Sequence, residues 1–273
     1  MIQVNNIDFL YQGAKHMVFN NFSLTLKENN IYGLLGKNGT GKSTLLYLIS
    51  GLLRQKSGSI LVDGIDSRDH NPEILKEIFF VPEEFTLPSL SLEQYIRTNA
   101  SFYPNFSRDT LMECLKDFEL SADLNLKELS MGQKKKVFMS FALATNTRYL
   151  FMDEPTNGLD IPSKSQFRKV IARNMNEDRT LIISTHQVHD VEQLLDHLLI
   201  LDHSHLLLDA SVADICDQYT FEYRPMGSPM DDVIYSEPSL QGNAVIAKKT
   251  DSDKETTLNL ELLFDAVTTG AIK

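Results

Sequence analysis

A chain of 273 residues, 42% of them hydrophobic, can bury one sizeable core and a small appendage. Its formal net charge of −11 argues against a nucleic-acid binder and against direct adsorption to anionic lipid, because both present phosphates that repel an acidic surface. The two cysteines, Cys114 and Cys216, lie far apart and match neither a disulfide framework nor a metal-ligand spacing, so a reducing cytosol is the expected compartment. The first ten residues, MIQVNNIDFL, carry no basic stretch followed by an apolar one, and no secretory signal is expected. No apolar run approaches the roughly 18 to 20 residues of a spanning helix. Work at a membrane would therefore require a partner to hold the chain there.

In chain order, residues 2–10 and 18–26 alternate as strands, with a polar turn around Gly13–His16. Residues 31–35 (IYGLL) form a short buried strand, a glycine-rich turn follows, and 44–52 have the apolar spacing of a helix. Residues 57–64 make a further strand bounded by glycines. From about Leu90 to Thr145 the pattern is helical almost throughout, which marks an inserted helical subdomain over about 86–145. Residues 149–155 (YLFMDEP) are a buried strand, 162–176 a helix, 180–185 a strand, 188–196 a helix and 197–202 a strand. Strands alternating with helices imply an α/β fold with a largely parallel or mixed sheet, preceded here by an N-terminal antiparallel part. The composition shifts near residue 213. Residues 213–273 read as a small C-terminal α+β appendage, with one short strand in AVIAKKT and a closing helix over 258–270, behind a main domain of 1–212.

Gly36-Lys37-Asn38-Gly39-Thr40-Gly41-Lys42-Ser43 fits the phosphate-loop pattern G-x-x-x-x-G-K-[ST] in full, between a strand and a helix. Its glycines let backbone N–H groups converge on phosphates, Lys42 adds a point charge, Ser43 is the expected Mg²⁺ ligand, and the following helix aims its positive end at the anion. Asp153 and Glu154 stand at the carboxyl end of an apolar strand, where neighbours point to opposite sides. Asp153 is expected to hold Mg²⁺ and Glu154 to act as general base on the attacking water. Such an acidic pair alone is as often an ordinary strand end; the phosphate loop gives it meaning.

At Leu129-Ser130-Met131-Gly132-Gln133-Lys134 the chain resembles the LSGGQ signature of ABC transporter ATPases, just upstream of the acidic strand as in that family. The resemblance extends in family order over residues 1 to about 210. Tyr11 is similar to the aromatic that stacks on adenine, Gly158-Leu159-Asp160 to the D-loop, and His186 to the switch histidine that contacts the γ-phosphate. It implies a P-loop NTPase fold and ATP with Mg²⁺ as ligands. ATP binding then falls to Tyr11 and to the loop residues 36–44, ending at Thr44, and catalysis to Glu154, His186 and Glu83. Ser43, Asp153 and Glu83 are the implied metal ligands. Ser130, Met131, Gly132 and Gln133 would open a helix whose amides bind the nucleotide held by an opposite subunit. Two such ATPase subunits, alike or different, would close head-to-tail around two nucleotides and drive a separate polytopic transmembrane subunit from the cytoplasmic face of the membrane.

Two positions depart from the family pattern. Met131 replaces a signature glycine. Glu83, in Val81-Pro82-Glu83-Glu84, stands where the family has a glutamine that contacts Mg²⁺ and the attacking water. A carboxylate still ligates Mg²⁺ but adds negative charge beside the γ-phosphate. His186-x-x-His189 and His203-x-His205 lack the companions of a metal site. Lys134-Lys135-Lys136 fans around its helix, with one or two lysines facing solvent. A soluble ABC protein acting on ribosomes or DNA joins two cassettes or inserts coiled coils; one cassette, no heptads and an acidic balance favour the transporter subunit. The tail is similar to that of bacterial exporter-type ATPases, which makes export the expected direction.

Overall fold

The computed structural model describes residues 1–240, 242–250 and 255–272, and orders them into three sheets. The chain starts as an antiparallel pair, β1 (Ile2–Phe9) and β2 (Phe19–Leu26), then enters β3 (Ile31–Leu35) and α1 (Lys42–Ile49). The next strands, β4 (Ser57–Val62) and β5 (Ile65–Asp66), return to the first pair and complete a four-stranded antiparallel sheet in the order β2-β1-β4-β5. A one-turn helix α2 (Pro72–Leu75) leads into β6 (Ile78–Val81), and the helical insertion follows as α3 (Leu92–Asn99), α4 (Arg108–Asp117) and α5 (Met131–Ala144). Beyond it come β7 (Tyr149–Asp153), α6 (Ile161–Asn174), β8 (Thr180–Thr185), β9 (His197–Asp202) and β10 (His205–Ser211). The central sheet runs β10-β9-β3-β8-β7-β6, parallel except for the β10–β9 pair.

Alternation decides the packing of that sheet. Tyr149 and Phe151 of β7 join the cluster built from α1 and the antiparallel sheet, while Leu150 and Met152 join the cluster beneath the helical insertion and α6. The strands are therefore apolar on both faces, as covered parallel strands must be. All of the phosphate-loop and acidic-strand residues fall at the carboxyl edge of this sheet, where β3 and β7 end.

The helical insertion is less continuous than its sequence suggests. Tyr103-Pro104 breaks the chain after α3, Ser107 caps α4 by accepting from Thr110 N at 3.1 Å, and Glu119 adopts a left-handed φ of 58° that ends it. Residues 120–130 have no helix and are tied back by the Ser91–Asn125 bridge. The expected helix over 188–196 is replaced by two 3₁₀ turns, Val188–Asp190 and Glu192–Leu194. The β-branched Val188 and Val191 are both buried, and a three-residue repeat sets them on one side.

The C-terminal region holds more strand than the single one expected. A short helix α7 (Val212–Gln218) leads to β11 (Tyr219–Arg224), β12 (Val233–Ser239) and β13 (Gly242–Lys248), in the order β11-β13-β12, closed by α8 (Leu260–Thr268). Pro238 masks β12 in the sequence; it is tolerated because β12 is an edge strand. Within 213–273, residues 241, 251–254 and 273 lie outside the described ones. Ile246, Leu260 and Leu263 join the large core cluster, so apolar burial is continuous between this region and the central sheet. The N-terminal turn of α8 sits on the 188–194 turns: Leu260 N donates to Glu192 Oε1 at 2.8 Å, and Glu261 Oε2 lies 2.8 Å from His189 Nε2.

One buried cation locks the helical insertion to the sheet. Arg179 is 2% exposed and donates to the carbonyls of Leu143, Thr147 and Asn174 and to Asn146 Oδ1, at 3.0 to 3.2 Å. Burial lowers its pKa to about 10, still charged at neutral pH. Arg179→Met leaves four acceptors without their donor, and should lower unfolding free energy by about 3 kcal/mol. A denaturant midpoint equal to that of the wild type would contradict this account.

Candidate active site

The phosphate loop is shaped by close backbone packing. A Cβ on Gly36 would lie 2.5 Å from the carbonyl oxygen of Leu201 and 2.7 Å from Thr40 Oγ1. Gly41 occupies the N-cap of α1 at φ 107°, and no side chain caps that helix. The first amides of α1 consequently remain available for an anion. Lys42 is 6% exposed; its Nζ folds back to donate to Gly36 O at 2.7 Å and Lys37 O at 3.1 Å. Burial lowers the Lys42 pKa, and the carboxylates of Glu154, Asp153 and Glu83 oppose that shift. The loop encloses a cavity of about 350 Å³, lined also by Tyr11, Glu83 and Glu154.

The acidic strand ends on two differently held carboxylates. Asp153 is 2% exposed and accepts a hydrogen bond from Ser184 Oγ across the β7–β8 pair, with the Ser43 hydroxyl nearby. Burial raises its pKa, the two hydroxyls oppose the rise, and the neighbouring Glu154 and Glu83 add to it. Glu154 leaves the strand with a left-handed φ of 44°. Its carboxylate accepts from Thr185 Oγ1 at 2.9 Å and from the amide of His186 at 3.1 Å, and it lies 2.7 Å from His186 Nδ1. A proton on His186 Nδ1 would donate to this carboxylate and leave Nε2 for another partner.

Tyr11 is 42% exposed at the rim of the same cavity, with its hydroxyl 3.0 Å from Thr44 Oγ1 and its ring edge-on to Phe9. Glu83 also reaches the rim and accepts from Asn157 Nδ2 at 2.8 Å. The signature residues do not join this cavity. Ser130 caps α5 in a reciprocal pair with Gln133, Ser130 Oγ accepting at 3.3 Å and Gln133 Oε1 at 3.0 Å, and Met131 is 63% exposed. Gly132 and Met131 line a separate cavity of about 250 Å³ with Glu83 and Asn157. Asp160 caps α6 by accepting from Ser163 N at 2.9 Å.

The oxygen donors fit one kind of metal. Among the described residues no group of three or more His, Cys, Asp or Glu side chains is arranged to hold an ion by itself. A serine hydroxyl beside a buried aspartate, with a second carboxylate nearby, suits Mg²⁺, which keeps water and takes further ligands from phosphate.

Three residues that matter to this geometry escape a motif-based reading. Lys135, read within a basic run, is buried and donates from Nζ to the carbonyls of Glu154 and Asn157, at 2.9 Å each. Its spacing to Met139 and Ala142 on one face of α5 is the available signal. Asn157 links Glu83 to Gln187, whose Nε2 donates to Asn157 Oδ1 at 2.7 Å. Ser184, in the strand before His186, has no signal of its own.

Comparison with known proteins gives a consistent family. The family model described as ABC transporter matches residues 19–157. A putative ABC transporter ATP-binding protein of Pyrococcus furiosus is 36% identical over 213 residues, 74% of this chain and 77% of that protein. The ABC transporter ATP-binding protein YtrB of Bacillus subtilis is 26% identical over 221 residues, 80% of this chain and 75% of its own length. Among solved structures, cbiO1 from Clostridium perfringens, described as part of the ABC transporter complex cbiONQ, has 25% identity and a TM-score of 0.65, covering 78% of this chain and 89% of its own.

The close contact at Gly36 supplies a test of the loop. Gly36→Ala must displace Leu201 or the loop itself, and should lower unfolding free energy by about 2 kcal/mol. A chemical denaturation curve superimposable on the wild type would show that the loop has more room than described.

Proposed function

This chain belongs to the ABC transporter family, and from that membership we propose that it binds and hydrolyses ATP at the phosphate loop and so powers a separate membrane-spanning protein. The observation that carries the proposal is the meeting, around one cavity, of an uncapped helix N-terminus, a buried lysine and the Glu154 carboxylate. The amides of residues 36–44 and Lys42 neutralise the phosphates of ATP. Tyr11 offers a ring to the base once its hydroxyl leaves Thr44. Ser43, Asp153 and Glu83 would hold Mg²⁺, which supplies charge neutralisation to the phosphates. Glu154 accepts a proton from the attacking water, oriented by Thr185 and His186, and His186 Nε2 senses the terminal phosphate.

Ser130, Met131, Gly132 and Gln133 lie outside this cavity, so a single chain leaves its nucleotide uncovered on one side. A second ATPase subunit completes the site with its own signature helix and Asp160 segment, and closure is favoured while ATP is bound. No helix among the described residues is long and apolar enough to cross a membrane. In this reading the chain works from the cytoplasmic face, held there by its transmembrane partner. The cargo and the direction of movement are properties of that partner, because the residues named here act on nucleotide alone. Residues 1–212 form the ATPase unit, with its helical subdomain over about 86–145, and 213–273 form an accessory region.

Glu154→Gln separates binding from hydrolysis. It should retain MgATP, form dimers in its presence by sedimentation, and lose turnover by about 100-fold or more. Lys42→Ala should lose MgATP binding. A Glu154→Gln protein that neither retains MgATP nor pairs up overturns the proposal.

A further inference from the structure

Three segments meet around the smaller cavity, namely the turn carrying Glu83, the start of α5 and the turn after β7, and the segment after β8 is tied to the last of them through Gln187 and Asn157. Lys135 is 6% exposed there, and its two carbonyl acceptors, Glu154 O and Asn157 O, satisfy hydrogen bonds without balancing its charge. A buried ammonium without compensation is costly. The carboxylates around it are Glu83, which is exposed and lines the same cavity, and the buried Glu154 and Asp153. Asn157 joins the two physically: its carbonyl accepts from Lys135 Nζ at 2.9 Å, and its side-chain amide donates to Glu83 Oε1 at 2.8 Å. Gln187 holds the same asparagine from the switch side at 2.7 Å, and Lys164 Nζ donates to Gln187 Oε1 at 3.2 Å.

Building on the ATPase reading, we propose that Lys135 is the internal counter-ion of Glu83, a positioning residue that works through Asn157 and offsets the negative charge Glu83 brings to the nucleotide. Three carboxylates, Glu83, Asp153 and Glu154, share this region with two buried lysines, Lys42 and Lys135. Phosphate engages Lys42, and Lys135 then remains as the fixed positive charge behind Glu83. With an amide at position 83 one negative charge disappears and the charge on Lys135 loses most of its purpose, while its grip on the two carbonyls persists. The two roles thus make different predictions for paired substitutions.

The test compares wild type, Glu83→Gln, Lys135→Gln and the double variant by two measurements. These are the melting temperature of the nucleotide-free protein and the MgATP dissociation constant from fluorescent-nucleotide displacement. In the wild-type background, Lys135→Gln should weaken MgATP binding roughly tenfold and lower the melting temperature. In the Glu83→Gln background the same substitution should change binding by less than about threefold, with a correspondingly smaller melting shift. Equal losses in both backgrounds, or no loss in either, would overturn the proposal and leave Lys135 a carbonyl tether. If Lys135→Gln alone does not fold, recovery of folding in the double variant supports the pairing. A double variant that stays unfolded while Glu83→Gln folds overturns it. Wild-type protein that binds no MgATP would defeat the ATPase reading instead, and the nucleotide-free melting cycle would still decide the pairing.

Discussion

Three carboxylates and two lysine ammonium groups gather at the carboxyl edge of the central sheet, and the remainder of the site is arranged to make that concentration of charge tolerable. Four of the five are buried and Glu83 is exposed; interactions between buried charges are several-fold stronger than at the surface, and so are the penalties for leaving one unmatched. The main chain carries much of the compensation. Lys42 is held by the carbonyls of its own loop and Lys135 by those of the turn after β7. Asp153 is held by the Ser184 hydroxyl, and Glu154 by a hydroxyl, an amide and an imidazole. In the proposed reading a triphosphate would draw Lys42 from its two loop carbonyls, while the amides of the loop are already held in place as fixed dipoles.

The same arrangement makes the turn over residues 154–157 the common element of the site. It carries the Glu154 carboxylate, it is fastened from below by α5, and its Asn157 reaches both the Glu83 turn and the switch segment. A displacement of any one of these segments is felt by the others through single hydrogen bonds. That is a physical basis for coupling a nucleotide contact to the surface of the helical insertion, and it needs no long chain of intermediates.

The central sheet is readable from sequence because buried parallel strands are short apolar runs: 31–35, 180–185 and 197–202 match the structure residue for residue. The phosphate loop is readable because its glycines and lysine have few other uses at that spacing. Local patterns mislead where tertiary contacts decide. The 188–196 stretch has helical apolar spacing, yet two buried valines and the docking of α8 impose 3₁₀ turns. β12 hides behind Pro238, and β11 behind polar alternation. Lys135 is the instructive case. Its neighbours suggest a solvated basic run, and only the positions of two carbonyls 19 and 22 residues downstream give its head group a destination.

The seat of α8 on the switch segment has a mechanical meaning. Leu260 takes its hydrogen-bond acceptor from Glu192, and Glu261 faces His189, three residues beyond His186. α8 is thereby docked on the stretch that follows His186, so that, under the proposed ATPase reading, a load borne by this helix would be felt next to the histidine assigned to the terminal phosphate.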